Sequence, residues 1–364
     1  MRDLQARREE RTAWLFLAPF LALLGLFFGY AALRTLWFSF TDYNLFAAPS
    51  FAGLRNYLRI VTEPLFLFAL RNSILFSIIV TAAQTVLALL LATYINRIVT
   101  ARGLVRTVFY FPSIVSSTVM TLIFLWLFSR NGLVTALVNW AWNNAAYIGA
   151  FTLALLAIQA LLVLNARRRY EDVRATDPFF LFWAVAGAAI LVWLLRLGQV
   201  LPVGQAEEPI SWLNTRETFL FMPVTLWSIA MINVFTTIPV LMLLYLAGLQ
   251  SIPTSLYEAA ELDGVSRTRQ FLRITVPLLA PVTFGVVTLS IVGTLQMFDQ
   301  VAIMGNAAPI ESRITLAYYT YYNTFPPGGS PRIGMASAGA IVLAALTLVI
   351  VFLQRRLGVS DRAA

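Results

Sequence analysis

Val224-Thr-Leu-Trp-Ser-Ile-Ala-Met-Ile-Asn233-Val-Phe-Thr236-Thr237-Ile-Pro239-Val240-Leu-Met-Leu-Leu-Tyr-Leu246 runs for 23 residues without a charge. An α-helix rises about 1.5 Å per residue, and about 20 apolar residues cross the hydrocarbon of a bilayer. So long a neutral run reads as a membrane span. Working outward from it, comparable runs occupy 14–33, 73–95, 107–128, 147–166 and 179–197 on one side and 279–301 and 333–353 on the other. The predicted fold is all-α: a polytopic transmembrane helical bundle of about eight spans. The run at 107–128 is the most interrupted, by Pro112, Ser113, Ser116, Ser117, Thr118 and Thr121. Small and hydroxyl side chains suit contact between helices inside a bundle, so it is read as one bundle-facing helix. Residues 133–142, with Trp140 and Trp142, predict a short interfacial helix, because indoles favour the headgroup level.

Composition agrees. The chain is 59% hydrophobic and 12% charged over 364 residues, whereas a soluble domain is about half apolar and about a quarter charged. It has no Cys and no His, and its 26 basic residues are all Arg. Without Cys there is no disulfide or thiolate site. Without His the commonest general base and metal ligand is missing. Without Lys there is no P-loop, whose lysine reaches the nucleotide phosphates. No cofactor is expected on this chain. The net charge of +9 raises nucleic acid as a partner, but the arginines sit at the ends of apolar runs, where membrane topology accounts for them.

Those arginines orient the bundle. With the N-terminus cytoplasmic and all runs spanning, the inner segments are 1–13, 96–106, 167–178, 247–278 and 354–364, and they hold 17 of the 26 arginines. That excess is the positive-inside pattern and places both termini inside. The first run is close to 20 residues, longer than the core of a signal peptide, and no small-x-small site follows it, so it is read as an uncleaved anchor.

The inner segment between the sixth and seventh runs carries the chemistry. It reads Ser255-Leu-Tyr-Glu258-Ala259-Ala260-Glu261-Leu-Asp263-Gly264, then Val265-Ser266-Arg267-Thr-Arg269-Gln-Phe-Leu-Arg273-Ile274-Thr-Val-Pro277-Leu-Leu-Ala-Pro281. Ser255 with Glu258 spells a capping box that opens a helix. Gly264 suits the left-handed residue that closes it. Ser266 can cap a second helix, and Pro277 ends that helix or turns it into the membrane. A mere connector needs no such two-helix element.

Glu258-Ala259-Ala260, then Gly264, Ile274 and Pro277 at these spacings, resembles the EAA loop (251–281) of the permease subunits of ABC importers. Leu246-Ala-Gly-Leu-Gln-Ser-Ile-Pro253, Phe51-Ala-Gly-Leu-Arg-Asn-Tyr57 and Leu295-Gln-Met-Phe-Asp299 are similar to the carbohydrate-uptake branch, which serves maltose, other sugars and glycerol phosphate. The resemblance covers about 12–142 and 211–357. It implies a type I importer core of six spans, divided as an anchor and first spans (1–142), an inserted pair of extra helices (143–210) and a second core portion (211–357). It implies that Glu258, Ala259, Ala260, Asp263 and Gly264 form a coupling element docking on a separate ATPase, and that the path opens by alternating access. The implied partners are a second homologous permease chain, two ATPase subunits carrying ATP and Mg, and an extracytoplasmic sugar-binding protein. The implied location is the plasma (inner) membrane of a prokaryote. Two departures stand out: the extra pair at 143–210, and Gly305-Asn-Ala-Ala-Pro309 where the family has Gly-Gly-Gly-Pro.

In that family the substrate touches the spans flanking the loop. Two stripes at helical spacing fit: Asn233, Thr236, Thr237 and Val240, and Ser290, Gly293, Thr294 and Met297 with Gln296 beside them. Hydrogen-bonding groups at membrane depth face a bundle interior or a pore; neutral amides and hydroxyls suit a sugar, and packing between helices is the competing account. Asp299 is the one acid within a predicted span and is expected near its outer end, in water or paired. An ion-coupled secondary transporter is the alternative function, but it needs buried acids or two related halves and leaves the 251–281 element unexplained. A membrane enzyme lacks a catalytic constellation.

Overall fold

A computed structural model describes residues 2–97, 102–168, 177–204 and 211–357. The described chain forms two compact units, one drawn from Met1–Ile123 and Leu213–Ala364 and the other from Phe124–Trp212. Seven helices among the described residues are long and apolar enough to cross a membrane. The chain is multi-pass, as the charge-free runs require.

In the first unit, α1 covers Thr12–Ser39 with a π turn at Gly25–Gly29, and its most apolar stretch contains no buried residue. A two-residue antiparallel pair follows, Thr41 opposite Phe51 and Asp42 opposite Ser50. Helix α2 (Pro64–Arg97) is the central column. The run at 107–128 is not one helix. It divides into α3 (Arg102–Ile114) and α4 (Ser117–Leu127), bent by 98°. Pro112 has no N–H to give the preceding turn, and the Ser113 hydroxyl bonds the Tyr110 carbonyl at 2.7 Å; the helix stops two residues after Pro112.

The second unit holds the short helix Leu133–Asn143, in which Trp140 and Trp142 are exposed, then α5 (Ala145–Arg167) and α6 (Pro178–Leu197). Asp177 caps α6 by accepting from the Phe179 N–H at 3.0 Å, ahead of Pro178 at the first helical position. Helices α5 and α6 pack on each other, Ile158 lying against Gly187. Of the arginines expected between them, Arg169 and Arg174 lie outside the described residues.

Back in the first unit, α7 (Val224–Ser251) crosses α2, and their shared core is Ala88, Ala92, Ile95, Met242, Tyr245 and Leu249 with Leu279 and Val286. Gly248 lets α7 approach the later segment that carries Leu279 and Val282: a methyl there would meet Val282 at 2.8 Å and Leu279 at 2.9 Å. Helix α8 (Thr254–Leu262) leads through Arg267–Gln270, a π turn at Phe271–Thr275 and Val276–Leu278 into α9 (Ala280–Leu295). The expected single span at 279–301 is interrupted. α9 ends at Leu295, Gln296–Phe298 are not helical, and α10 covers Asp299–Met304. Thr315 donates its hydroxyl to the Met297 carbonyl at 2.8 Å, satisfying an acceptor that the break frees. Helices α11 (Leu316–Thr324) and α12 (Ile333–Leu357) complete the unit.

Polar bonds fix α9 and the connector after it on α2. The Thr294 hydroxyl is 2.9 Å from Ser77 Oγ and 3.4 Å from Thr81 Oγ1. Asn72 donates to the carbonyls of Glu311 and Ile314 at 3.1 and 3.0 Å, and Ser73 accepts from the Leu316 N–H. At the head of α2, Tyr319 donates to Glu63, which Arg332 approaches at 3.5 Å. Burial first, and the Glu63 carboxylate second, push the Tyr319 phenol well above its ordinary range.

Candidate functional site

Helix α8 begins two residues earlier than a capping box at Ser255 requires. Thr254 is its first residue and Pro253 its N-cap, with no side-chain cap. Ser255 lies inside the first turn, so it does not cap. Proline serves at this boundary because its fixed φ of −60° with ψ of 132° aims the chain into the helix. The C-terminus follows expectation. Gly264 takes φ +72°, its N–H donates to the Glu261 carbonyl at 3.0 Å, and the Val265 N–H reaches back to the Ala260 carbonyl at 2.9 Å. These are the two bonds of a Schellman motif. Ser266 stands at the next N-cap position, but its side chain makes no cap; Gln270 Nε2 satisfies the Val265 carbonyl instead, at 3.2 Å. Pro277 lies within the turn Val276–Leu278, and the chain swings into α9 at Leu279.

The faces of α8 follow from this start. Tyr257 and Ala260 point inward, and the Tyr257 hydroxyl meets Thr275 Oγ1 at 2.9 Å. Ala260 is buried in its own chain and therefore not on the outer face, because helical spacing from the half-buried Tyr257 turns it in. Ser255, Glu258, Ala259 and Leu262 fall on the outer face, and Asp263 and Gly264 are exposed at its end. Leu262 is 90% exposed. The tripeptide reading passed over it. Its signal was its place at i, i+3, i+4 and i+7 with Ser255, Glu258 and Ala259. Between α8 and the C-terminal ends of α2 and α7 lies a cavity of about 400 Å³, reached by Asn96, Tyr257, Glu261 and Arg267.

A second cavity, of about 280 Å³, opens where α9 breaks, and is lined by Ser117, Asn233, Thr236, Thr237, Gly293, Gln296, Met297, Phe298, Asp299 and Gln300. The first stripe contributes three of its four residues. Val240 is exposed elsewhere on α7. The second stripe splits. Gly293, Gln296 and Met297 reach the cavity, while Ser290 and Thr294 are buried, Thr294 against α2; for Thr294 the packing account holds. The stripe assumed an unbroken helix, and Met297 instead reaches the cavity through the break after Leu295. Asp299 is exposed, as expected, but it lines the cavity and pairs with no cation among the described residues. Ser117, Phe298 and Gln300 were not foreseen, because the bend before α4 and the break before α10 bring them in. A chain of amides stiffens the wall: Gln84 Nε2 donates to Asn233 Oδ1 at 2.8 Å, and Asn233 Nδ2 donates to Gln300 Oε1 at 3.2 Å.

Both features lie within one stretch of recognisable sequence. Residues 84–358 match the family model described as "Binding-protein-dependent transport system inner membrane component". The chain belongs to that family. Among the relatives of this inner membrane component, the lactose transport system permease protein LacF of Rhizobium radiobacter is 29% identical over 355 residues, covering 96% of this chain and 94% of that one. The trehalose/maltose transport system permease protein MalF of Thermococcus litoralis is 26% identical over 350 residues, covering 95% and 94%. A crystal structure of a bacterial ABC transporter involved in import of the acidic polysaccharide alginate superposes with a TM-score of 0.66 at 18% identity, over 98% of each chain. That last likeness is one of fold. This inner membrane component is thus a transport subunit, and transport in its family depends on a binding protein.

Proposed function

We propose that this inner membrane component is the membrane-spanning permease subunit of an ATP-driven sugar importer. With a second homologous permease chain it forms a path that opens to one side at a time. Two separate ATPase subunits hold ATP and Mg and dock on α8, and an extracytoplasmic sugar-binding protein delivers the substrate. Both termini are cytoplasmic. The helices within 143–210 are an addition to the six-span core.

The observation that carries this reading is α8 itself: a nine-residue helix, closed by a left-handed glycine, that turns Glu258, Ala259 and Leu262 outward. Its side-chain pin to Thr275 ties it to the segment leading into α9, so a push on α8 is delivered to a span that lines the cavity. Sugar as cargo is supported by the named transport systems of the relatives, and by a cavity whose amides and hydroxyls can exchange hydrogen bonds with sugar hydroxyls. Co-purification with a matching ATPase subunit tests the coupling. Wild type should retain the ATPase, and Glu258→Lys and Gly264→Trp should each lose it. An ATPase that binds both variants as well as wild type overturns the proposal.

A further inference from the structure

The amide chain at the cavity between α9 and α10 has a direction. Gln84 on α2 is 1% exposed and Gln300 on α10 is 6% exposed, with Asn233 of α7 bonded between them. Asn233 and Gln300 belong to the cavity wall, and Gln84 stands behind it. The two ends of an amide have the same shape, so its partners decide which way it points. Here a main-chain group decides. Gln84 Nε2 lies 2.8 Å from Asn233 Oδ1 and 3.4 Å from the Asn233 carbonyl, and a carbonyl accepts but cannot donate. Turned over, Gln84 would lose that second bond and bury N–H groups without a partner, whereas the present arrangement leaves only its Oε1 bare among the described residues. A bare buried N–H is the costlier of the two. With Gln84 donating, Asn233 Oδ1 is occupied, Asn233 Nδ2 turns to Gln300, and Gln300 Oε1 is occupied in its turn at 3.2 Å.

We propose that Gln84 is a positioning residue for the cargo: from behind the wall it fixes the polarity of this chain, so that Asn233 and Gln300 meet the sugar with N–H groups and the sugar's oxygens accept. This rests on the sugar-importer reading above and adds what the wall requires of the cargo, an oxygen acceptor held against Gln300 Nε2. The two cavity amides do not keep that direction by themselves. The last torsion of an Asn or Gln side chain is broad and nearly two-fold, and a sugar hydroxyl both donates and accepts, so it would bind either end. A wall free to turn over has to be ordered at each binding event, which weakens binding. A buried partner that holds the amide beforehand removes that cost.

The test uses the complete importer complex in proteoliposomes, with lactose, maltose and trehalose as probe sugars. Gln84→Met keeps the length of the side chain and removes its amide. Gln84→Asn keeps the amide but falls one methylene short of Asn233. Each should raise the KM of a transported sugar about fivefold to tenfold, the worth of one hydrogen bond, and leave kcat unchanged. In an Asn233→Ala background the same changes should leave KM where it is, because the residue that Gln84 acts through is gone. Hydrogen exchange measured without sugar gives a second readout. Both variants should speed exchange over residues 299–304, the helix that Gln84 reaches only through Asn233. An unchanged KM, an equal rise in KM with and without Asn233, or a loss of melting temperature with exchange over 299–304 unchanged overturns the role. If Gln84→Met does not assemble, Gln84→Asn decides. A wild-type complex that moves none of the probe sugars counts against the importer reading instead, and exchange over 299–304 then decides the role of Gln84 by itself.

Discussion

Replacing Gly264 separates two reasons for a glycine at the end of α8. Its φ of +72° is a conformation that other L-residues adopt at a cost, whereas a methyl added there meets no atom of this chain within 4 Å. Within the chain the penalty is therefore one of backbone alone. It amounts to about 1–2 kcal/mol for alanine, less for asparagine and more for a β-branched residue. At about 1.4 kcal/mol per factor of ten, Gly264→Ala should reduce the closed Schellman end roughly tenfold relative to a frayed one. If the ATPase docks on the closed helix, its affinity for permease in lipid nanodiscs should fall by about the same factor. Titration with labelled ATPase should then rank the residues Gly, Asn, Ala, Val in order of weakening affinity. A series ordered by side-chain size, with Asn as damaging as Val, would refute the backbone argument and place the ATPase surface against Gly264 itself. A flat series would refute any role for the turn.

Other expectations are as direct. Leu262→Glu should leave the chain's own thermal stability within about 0.5 kcal/mol, since the side chain is 90% exposed, while costing about 2 kcal/mol in ATPase binding, roughly thirtyfold; a matching loss of melting temperature would count against a docking role. Thr294→Val removes the hydroxyl bridge to Ser77 and should cost about 0.6 kcal/mol of stability without moving the KM for the sugar, and a clear KM change would return Thr294 to the path. Arg313→Met strands the carbonyls of Val301 and Ala308, costs about 2–3 kcal/mol, and should speed hydrogen exchange over residues 299–308, with Arg313→Lys recovering part; unchanged exchange there would show that the arginine does not hold α10.

The spans were legible because length and neutrality are enough for them: 224–246 became Val224–Ser251, and 147–166 became Ala145–Arg167. Gly264 was legible because only one backbone region accounts for a glycine closing a helix before a charged turn. Periodicity could not show the interruptions. A helical spacing count carries Met297 in the same stripe as Ser290, although the chain leaves the helix between them. The capping box failed for a related reason. Ser255 and Glu258 have the right spacing, but Pro253 starts the helix before they can act. Leu262 was missed because an apolar residue in an apolar sequence carries no contrast until its exposure is known, and Arg313 because a buried guanidinium bound only to carbonyls leaves no complementary acid to find.

The hydroxyls that join α9 to α2 have a consequence for movement. In an apolar medium, sliding one helix along the other by a turn would break the bonds of Thr294 to Ser77 and Thr81, although Thr294 keeps its bond to the Ser290 carbonyl of its own helix at 2.7 Å. The bonds between the two columns therefore favour their present register. A change of angle along this column breaks the fewest helical bonds where the helix is already interrupted, at Leu279 on one end of α9 and at Gln296–Phe298 on the other. The second of these joints is also a wall of the cavity, so a change of angle there and a change in the shape offered to cargo are one event.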